Sequence, residues 1–219
     1  MNSFSIIITA GGIGKRMGAE IPKQFIELNS LPILMHTINC FHSFDATCQI
    51  IVTLPSEWTQ FWDQLIAKHQ FSVPHIVVEG GIERYDSIKN ALDLCTHTLI
   101  GVHDGVRPLV SHETIKRCLV LAKEKGAAIP VLPLKESLRQ VIPKGSTAVE
   151  RKEYLSVQTP QFFQSEIIEK AYKIQFHSGI TDDASLVEEA GFVVYTTDGN
   201  EENVKITTPI DLKFARLFV

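Results

Sequence analysis

The hydrophobic positions of this chain form short apolar runs that alternate with segments of helical periodicity. Runs of six or seven mostly apolar residues lie at 4–10, 49–54, 98–103 and 127–132. Such runs are typical of strands that are buried on both faces of a sheet. Between the first two runs, Leu34, Met35 and Ile38 recur at the spacing of one helix face. The alternation predicts an α/β fold with a Rossmann-like, doubly wound and mostly parallel sheet.

Weaker patterns complete the predicted order of elements. Further strands are predicted at 75–78, 157–163, 192–196 and 204–206. Helices are predicted from Leu31 with Pro32 in the first turn, at 57–69, around Ile88 and Cys95, between Ser111 and Gly126, at 165–175, at 182–190, and after Thr208. Most of these helices lie between two predicted strands, as the crossover connections of a parallel sheet require.

The alternation breaks between Pro133 and Ser156. Two short β-like runs, at 137–142 and 146–149, flank the turn residues Pro143-Lys144-Gly145, which predicts a hairpin. Its residues are too polar to be buried in the chain's own core, so we expect an arm that projects or packs on a partner. The length of 219 residues suits one domain, 1–219, with 133–156 as the arm.

Composition and charge exclude several classes of function. Hydrophobic residues make up 44% of the chain and charged residues 21%, which supports a full core and argues against disorder. The formal net charge is −4 without a long basic run, which argues against nucleic acid as the main partner. The first apolar run is too short for a signal peptide or a membrane span, so we expect a cytoplasmic protein with no membrane partner. The four cysteines show no metal-ligand spacing, and we expect reduced thiols.

The first predicted strand leads directly into a glycine-rich segment. Gly11, Gly12 and Gly14 have no Cβ to block an approaching anion, so their backbone N–H groups can turn towards it. Three cations stand in or just after this segment: Lys15, Arg16 and Lys23. A strand, a glycine loop and clustered cations predict a polyphosphate site.

Two familiar phosphate loops are excluded by spacing. A Walker A loop needs a glycine at position 9 and Ser or Thr after Lys15, but Thr9 and Arg16 stand there. A dinucleotide fingerprint that starts at Gly12 needs a glycine at 17, which is Met17.

Three of the predicted strands end in residues suited to ligand binding. The first ends in the glycine loop, another in Gly80-Gly81, and the next in Asp104. Ligands of open α/β sheets bind beyond the carboxyl ends of the strands. We therefore expect these three segments to face one crevice.

Several segments, taken in order, resemble one known family. They are Ala10-Gly11-Gly12-x-Gly14-Lys15-Arg16-Met17, Pro22-Lys23-Gln24, Gly80-Gly81-x-Glu83-Arg84-x-Asp86-Ser87, His103-Asp104-x-x-Arg107-Pro108, 159–163, 181–185 and 204–207. The set is similar to the 2-C-methyl-D-erythritol 4-phosphate cytidylyltransferases, which have a nucleotidyltransferase fold. The resemblance implies a reaction of CTP with a polyol phosphate that uses Mg²⁺ and releases pyrophosphate, in non-mevalonate isoprenoid biosynthesis. It also implies a homodimer with exchanged arms.

The resemblance implies a role for each matching residue. The catalytic cations that hold the triphosphate would be Lys15, Arg16 and Lys23. The nucleotide would be bound by Ala10, Gly11, Gly12, Gly14, Gly81, Asp86 and Ser87. The acceptor would be bound by Asp104, Arg107, Ser137, Thr159, Thr181 and Lys205, with Arg151 reaching the acceptor phosphate of the partner subunit. Asp104 is also the candidate metal ligand, although the CTP phosphates would hold most of the Mg²⁺ coordination.

Other interpretations stay open at this stage. Ser87 could be only a first-turn helix residue, Asp104 and Arg107 only a structural salt bridge, and Lys205 only a surface lysine. For His103 a hydrogen-bonded structural role is favoured over a ligand role. Two alternative functions remain: a D-ribitol-5-phosphate cytidylyltransferase, and a non-catalytic CTP-binding module, which would lack the acceptor-side residues.

Overall fold

The structure, a computed structural model, describes residues 3–12 and 21–219. In this part of the chain the strands are β1 (Ser5–Thr9), β2 (Glu27–Leu28), β3 (Leu31–Pro32), β4 (Gln49–Leu54), β5 (Ile76–Glu79), β6 (Leu99–Asp104), β7 (Ala127–Pro133), β8 (Arg139–Ile142), β9 (Gly145–Ala148), β10 (Leu155–Val157), β11 (Gln161–Gln164) and β12 (Tyr195–Asp198). The α-helices are α1 (Ile33–Phe44), α2 (Thr59–His69), α3 (Arg84–Leu92), α4 (His112–Lys125), α5 (Ser165–Ala171), α6 (Asp183–Glu189) and α7 (Pro209–Ala215). Short 3₁₀ turns lie at Lys23–Phe25, Ser56–Trp58 and Arg151–Glu153.

Eight of the described strands form one central sheet. Its order is β10-β7-β11-β6-β1-β4-β5, and β12 also pairs with β7. Strands β6, β1, β4 and β5 are parallel, and so are β7 and β12, whereas β11 and β10 run antiparallel to their neighbours. This mixed, mostly parallel sheet confirms the predicted α/β class.

Strand β1 shows how the sheet is covered on both faces. Ile6 and Ile8 belong to one buried cluster, which α1 and α4 cover, and Ile7 belongs to another, which α3, α5 and α6 cover. Successive side chains of a strand point to opposite faces, so the two clusters lie on opposite sides of the sheet. The unbroken apolar sequence of β1 follows from this burial on both faces, and the doubly wound arrangement is confirmed.

Several helices and strands begin or end at other residues than predicted. The helix predicted from Leu31 begins at Ile33, because Pro32 is extended and pairs with Glu27 in the two-stranded β2–β3 sheet. The helix predicted at 165–175 ends at Ala171, and the strand predicted at 192–196 lies at Tyr195–Asp198. The predicted caps of α4 are confirmed, since Ser111 accepts a hydrogen bond from Thr114 N and Gly126 ends the helix at φ 98°.

The strand predicted at 204–206 is wrong. The described structure has no strand there, although Ile206 N donates to Val106 O over 2.9 Å. The side chain of Ile206 is buried with Leu28, Ile33 and Val106. The apolar residues of this segment are therefore explained by the packing of a loop, and the segment forms no ladder of strand hydrogen bonds.

The predicted hairpin is confirmed as strands β8 and β9. They pair antiparallel with each other, and all their residues are exposed. Val141 is 85% exposed, and Leu155 and Val157 of β10 are exposed as well. The assignment of 133–156 as a dimerisation arm stays a prediction.

The four cysteines are free thiols, as expected. Cys118 is buried, and Cys40, Cys48 and Cys95 are half-buried. Burial raises the pKa of each of these thiols to about 12, so they are neutral and weakly nucleophilic at pH 7. As to membranes, the described helices include none with the length and apolar character of a membrane span.

Candidate active site

The three segments that were expected to share a crevice do so. A cavity of about 260 Å³ opens beyond the carboxyl ends of β1, β5 and β6. Backbone hydrogen bonds join the ends of neighbouring strands. Gly105 N donates to Thr9 O over 2.9 Å, and strand β4 accepts from Ala10 N at Thr53 O over 3.0 Å and from Gly80 N at Leu54 O over 2.7 Å. Predicted site residues that line the cavity are Ala10, Gly11, Gly12, Lys23, Gly81, Ser87, Asp104 and Lys205. We call this cavity the cleft.

One wall of the cleft is the start of the glycine loop. Gly11 and Gly12 are exposed towards it. A Cβ at Gly11 would meet nothing within 4 Å, and one at Gly12 would lie 3.5 Å from Lys23 Cε. The lysine stem therefore runs beside the loop backbone. Gly14, Lys15 and Arg16 lie outside the described residues, so their predicted roles stay predictions.

Gln24 ties the lysine segment to strand β1. Its side chain is 1% exposed, and its Nε2 donates to Ala10 O over 2.5 Å. Its Oε1 and the Oγ1 of Thr53 are buried, and no described residue forms a hydrogen bond with either. The sequence motif contains Gln24, but sequence reasoning assigned it no role, because a lone glutamine in a turn carries no distinctive signal.

The opposite wall is the turn from β5 into α3. A Cβ at Gly81 would lie 2.2 Å from Asp86 Cβ, so this position has room for glycine alone. Ser87 Oγ accepts a hydrogen bond from Gly81 N over 3.0 Å and donates to Glu83 O over 3.1 Å. Asp86 Oδ2 accepts from Glu83 N over 3.0 Å, which caps α3. Ser87 thus lies in a first helical turn and also in the cleft, whereas Asp86 is placed as a cap and its contact with nucleotide stays a prediction.

Asp104 forms the charged end of the cleft. Its Oδ2 lies 3.0 Å from Arg107 Nε and 3.1 Å from Lys205 Nζ. Burial alone would raise the pKa of Asp104, but the charges of Lys205, Arg84 and Arg107 outweigh burial and hold that pKa well below its usual range. Asp104 is therefore an anion throughout the physiological range. The salt bridge between Asp104 and Arg107 is present, and Lys205, whose side chain is 44% exposed, pairs with the same carboxylate. The acceptor-binding roles of the three residues stay predictions.

A buried chain of hydrogen bonds holds the backbone of Asp104. Asp104 N donates to Thr159 Oγ1 over 3.1 Å, and Thr159 Oγ1 lies 3.0 Å from His103 Nδ1. His103 Nε2 lies 3.0 Å from Arg107 O, which can only accept, so this nitrogen carries the proton and Thr159 donates to Nδ1. The structural role predicted for His103 is confirmed. Thr159 holds the backbone N–H of Asp104, and its predicted contact with the acceptor stays a prediction.

The buried His103 should make stability depend on pH. Burial lowers its pKa from 6.5 to about 4. In the unfolded chain the imidazole takes up a proton near pH 6.5, whereas in the folded chain it does so only near pH 4. The free energy of unfolding should therefore fall by up to about 3 kcal/mol as the pH drops through this window, and should be fully regained above it.

Urea denaturation at a series of pH values tests this expectation. His103→Gln, which keeps an uncharged donor and acceptor, should show a flatter pH profile than the wild type. His36, whose pKa is also lowered by burial, contributes in the same direction in both proteins. The exposed His177→Gln variant is the control and should keep the wild-type slope. Equal slopes for wild type and His103→Gln would contradict the assignment.

Asn203 is a buried site residue that sequence reasoning missed. Its Nδ2 donates to Thr159 O over 2.8 Å, and its backbone O accepts from Arg107 Nη1 over 2.8 Å. It thereby joins the support of Asp104 to the loop that carries Lys205. Nothing in the sequence singles out one asparagine in such a loop.

Three predicted acceptor residues lie away from the cleft of their own chain. Ser137 is exposed just before the hairpin. Arg151 is exposed just after it, where its Nη1 donates to Lys135 O. Thr181 lines a separate cavity of about 100 Å³, which shares Glu83 and Arg84 with the cleft.

Almost the whole chain matches one known protein family. A sequence model of the family described as IspD, 2-C-methyl-D-erythritol 4-phosphate cytidylyltransferase, matches residues 4–219. The chain belongs to this family. The resemblance found in the sequence motifs is thus confirmed over almost the whole chain.

Individual family members agree with this assignment. The 2-C-methyl-D-erythritol 4-phosphate cytidylyltransferase of Bacteroides thetaiotaomicron is 50% identical over 210 residues, which cover 95% of this chain and 96% of the relative. That of Bacillus cytotoxicus is 38% identical over 220 residues, covering 99% and 97%. The crystal structure of the Francisella tularensis cytidylyltransferase superposes with a TM-score of 0.82 at 28% identity and covers 100% of both chains. Sequence and fold therefore point to the same family.

Proposed function

We propose that this chain is a cytidylyltransferase that converts CTP and 2-C-methyl-D-erythritol 4-phosphate into 4-diphosphocytidyl-2-C-methyl-D-erythritol and pyrophosphate. This is a step of non-mevalonate isoprenoid biosynthesis, and we place it in the cytoplasm. The observation that carries the proposal is the meeting of Gly11-Gly12, Lys23, Gly81 and the Asp104–Lys205 pair in one cleft of a member of this family. The presence of acceptor-side residues in that cleft argues against a non-catalytic CTP-binding module.

The reaction needs alignment and positive charge more than proton transfer. An oxygen of the acceptor phosphate attacks the α-phosphorus of CTP, a new P–O bond forms, and the bond to the β-phosphate oxygen breaks to release pyrophosphate. The attacking phosphate is already ionised at pH 7, so a general base is unnecessary. The barrier is the repulsion between anions, which cations such as Lys23 and Lys205 would offset. One charge pair 4 Å apart contributes about 4 kcal/mol at an effective dielectric constant near 20.

Different walls of the cleft would bind different parts of the two substrates. Gly81 and Ser87, where a backbone approaches closely, would contact the cytosine edge, with Asp86 behind them. Ala10, Gly11, Gly12 and Gly14 would face the phosphates. The permanently ionised Asp104 would accept hydrogen bonds from hydroxyl groups at the acceptor end of the cleft.

The described residues fit a magnesium ion that CTP itself brings. They contain no cluster of three or more histidine, cysteine or acidic side chains that could enclose a metal. Mg²⁺ is commonly held by one or two carboxylates together with substrate phosphates. Asp104 would serve as that carboxylate through Oδ1, because Oδ2 is engaged by Arg107 and Lys205. When bound, the ion would neutralise charge on the triphosphate and on the leaving pyrophosphate.

The proposal includes a homodimer with exchanged arms. Among the described residues, the β8–β9 hairpin pairs with itself alone and leaves Val141 and Ile142 exposed. Segment 133–156 would pack on the partner subunit and carry Ser137 and Arg151 towards its active site. The fixed fork of an arginine suits a phosphate whose direction of attack must be set.

Release of pyrophosphate from CTP tests the proposed function. The wild type should release it in the presence of 2-C-methyl-D-erythritol 4-phosphate and Mg²⁺, with a much lower rate when ATP replaces CTP. D-ribitol 5-phosphate is the comparison acceptor and should be a poor substrate. Faster turnover of ribitol phosphate would overturn the proposed acceptor, and no acceptor-dependent release at all would overturn the catalytic function.

A further inference from the structure

Arg84 stands at a position that is unfavourable for a cation. It is the first residue of α3, where the helix dipole disfavours positive charge, and its side chain is only 34% exposed. A half-buried charge at this end of a helix needs compensation from its surroundings. The position of Arg84 therefore calls for an explanation beyond helix formation.

The compensation comes from helix α6. Arg84 Nη2 lies 2.6 Å from Asp183 Oδ2, and the side chain of Asp183 is fully buried. The other oxygen, Oδ1, accepts a hydrogen bond from Tyr172 OH over 2.6 Å. Tyr172 in turn stacks on Tyr85, with ring centroids 4.9 Å apart. Asp183 is thus fixed on both oxygens, and it fixes the direction of the guanidinium.

The anchored guanidinium retains unused donors. Nη2 is engaged with Asp183, and no described residue accepts a hydrogen bond from Nε or Nη1. Arg84 lines the cleft together with Asp104 and Lys205, and it also lines the smaller cavity that contains Thr181. Its charge also contributes to the low pKa of Asp104, in line with a position close to that carboxylate.

Arg84 brings unused N–H donors to a point where several charged groups meet. Around the acceptor end of the cleft, Asp104 is balanced by Arg107 and Lys205, and Asp183 is balanced by Arg84. Two further carboxylates line the boundary between the cleft and the smaller cavity, those of Glu83 and Asp182. Glu83 is the N-cap residue of α3, and the side chain of Asp182 caps α6 by accepting a hydrogen bond from Ser185 N. A guanidinium held on one edge can present another edge with two parallel N–H groups, which is the geometry that binds phosphate oxygens.

We propose that Arg84 is a further substrate-binding residue, which contacts the phosphate of the acceptor from within its own chain. Asp183 and Tyr172 are positioning residues that aim it. The acceptor phosphate would lie where the cleft meets the cavity of Thr181, within reach of the free N–H groups of Arg84. This inference rests on the proposed function and assigns a residue to its acceptor site.

Steady-state kinetics of the full-length enzyme test the role of Arg84. Arg84→Lys keeps the positive charge but loses the fork. It should raise KM for 2-C-methyl-D-erythritol 4-phosphate by about tenfold or more, while KM for CTP changes less than about twofold. Tyr172→Phe removes one hydrogen bond from Asp183 and should raise the same KM by a smaller factor. The control Lys116→Met removes an exposed cation from helix α4, away from the Arg84–Asp183–Tyr172 network, and should leave both KM values unchanged.

The outcomes separate this role from a structural one. If Arg84 only stabilises the contact between α3 and α6, Arg84→Lys will lower the melting temperature and leave the ratio of the two KM values unchanged, which overturns the inference. If Arg84→Lys does not fold, the KM ratio of Tyr172→Phe decides in the same way. An active wild type with an unchanged ratio overturns this inference alone, whereas a wild type without acceptor-dependent pyrophosphate release overturns the proposed function as well.

Discussion

Replacing Lys23 with alanine is expected to lower kcat by about 10²–10³-fold, with little change in KM for CTP. The side chain lines the cleft, and its Cε runs beside the backbone of Gly12 at the start of the glycine loop. There it would meet charge that builds up on the phosphates during the transfer and is smaller in bound CTP. An interaction that is stronger in the transition state than in the ground state affects kcat rather than KM.

Initial rates over a range of CTP concentrations, at saturating acceptor, measure both constants. Lys116→Ala removes an exposed lysine from α4 and is the matched control, with wild-type kinetics expected. The same loss of kcat is expected for Lys15→Ala, although that residue lies outside the described part of the chain. A folded Lys23→Ala variant with near wild-type kcat would remove Lys23 from the catalytic assignment.

Mixing two inactive variants is expected to restore activity. Lys23→Ala should inactivate the site of its own chain, and Arg151→Ala should inactivate the site of its partner. In a heterodimer of the two variants, one site then combines an intact Lys23 with an intact Arg151. Random pairing makes half of all dimers heterodimers with one intact site each, so roughly a quarter of wild-type sites should return in a closed symmetric dimer.

Native mass spectrometry of the mixture shows whether subunits have exchanged. A mixture of wild type with Lys23→Ala is the control for the effect of exchange itself. If Arg151 serves its own chain, each heterodimer site still lacks one of the two residues. Persistent inactivity after proven exchange would therefore rule out the shared site, while the quarter recovery would assign Arg151 to the partner's cleft.

The strands and the crevice could be predicted from sequence because their signals are local. The apolar run of β1 and the glycines that follow it are adjacent in the chain, and parallel topology then brings Gly81 and Asp104 to the same edge. The helix caps at Ser111 and Gly126 follow from side-chain and backbone chemistry within one turn.

What escaped prediction depends on contacts between distant segments. Ile206 is apolar because it packs against Val106 and Leu28, and its sequence pattern gives no sign that it lies in a loop. The anchoring of Arg84 joins residues that are 99 positions apart in the chain. The resemblance implies that Asp86 binds the nucleotide; the structure places its carboxylate as a cap of α3, and the nucleotide role stays a prediction. A single sequence does not show which of several nearby donors a carboxylate will bind.

Strand β1 makes stability and catalysis depend on a single register. It pairs with β4 and β6, and its alternating side chains fill both cores while its last residue leads into the glycine loop. A slip of one residue would exchange the two faces and displace the loop along the strand by about 3.3 Å. Burial of the alternating side chains therefore also sets where Gly11 and Gly12 lie at the edge of the cleft. Substitutions in the core of β1 that touch no ligand are therefore expected to change turnover by moving these two glycines.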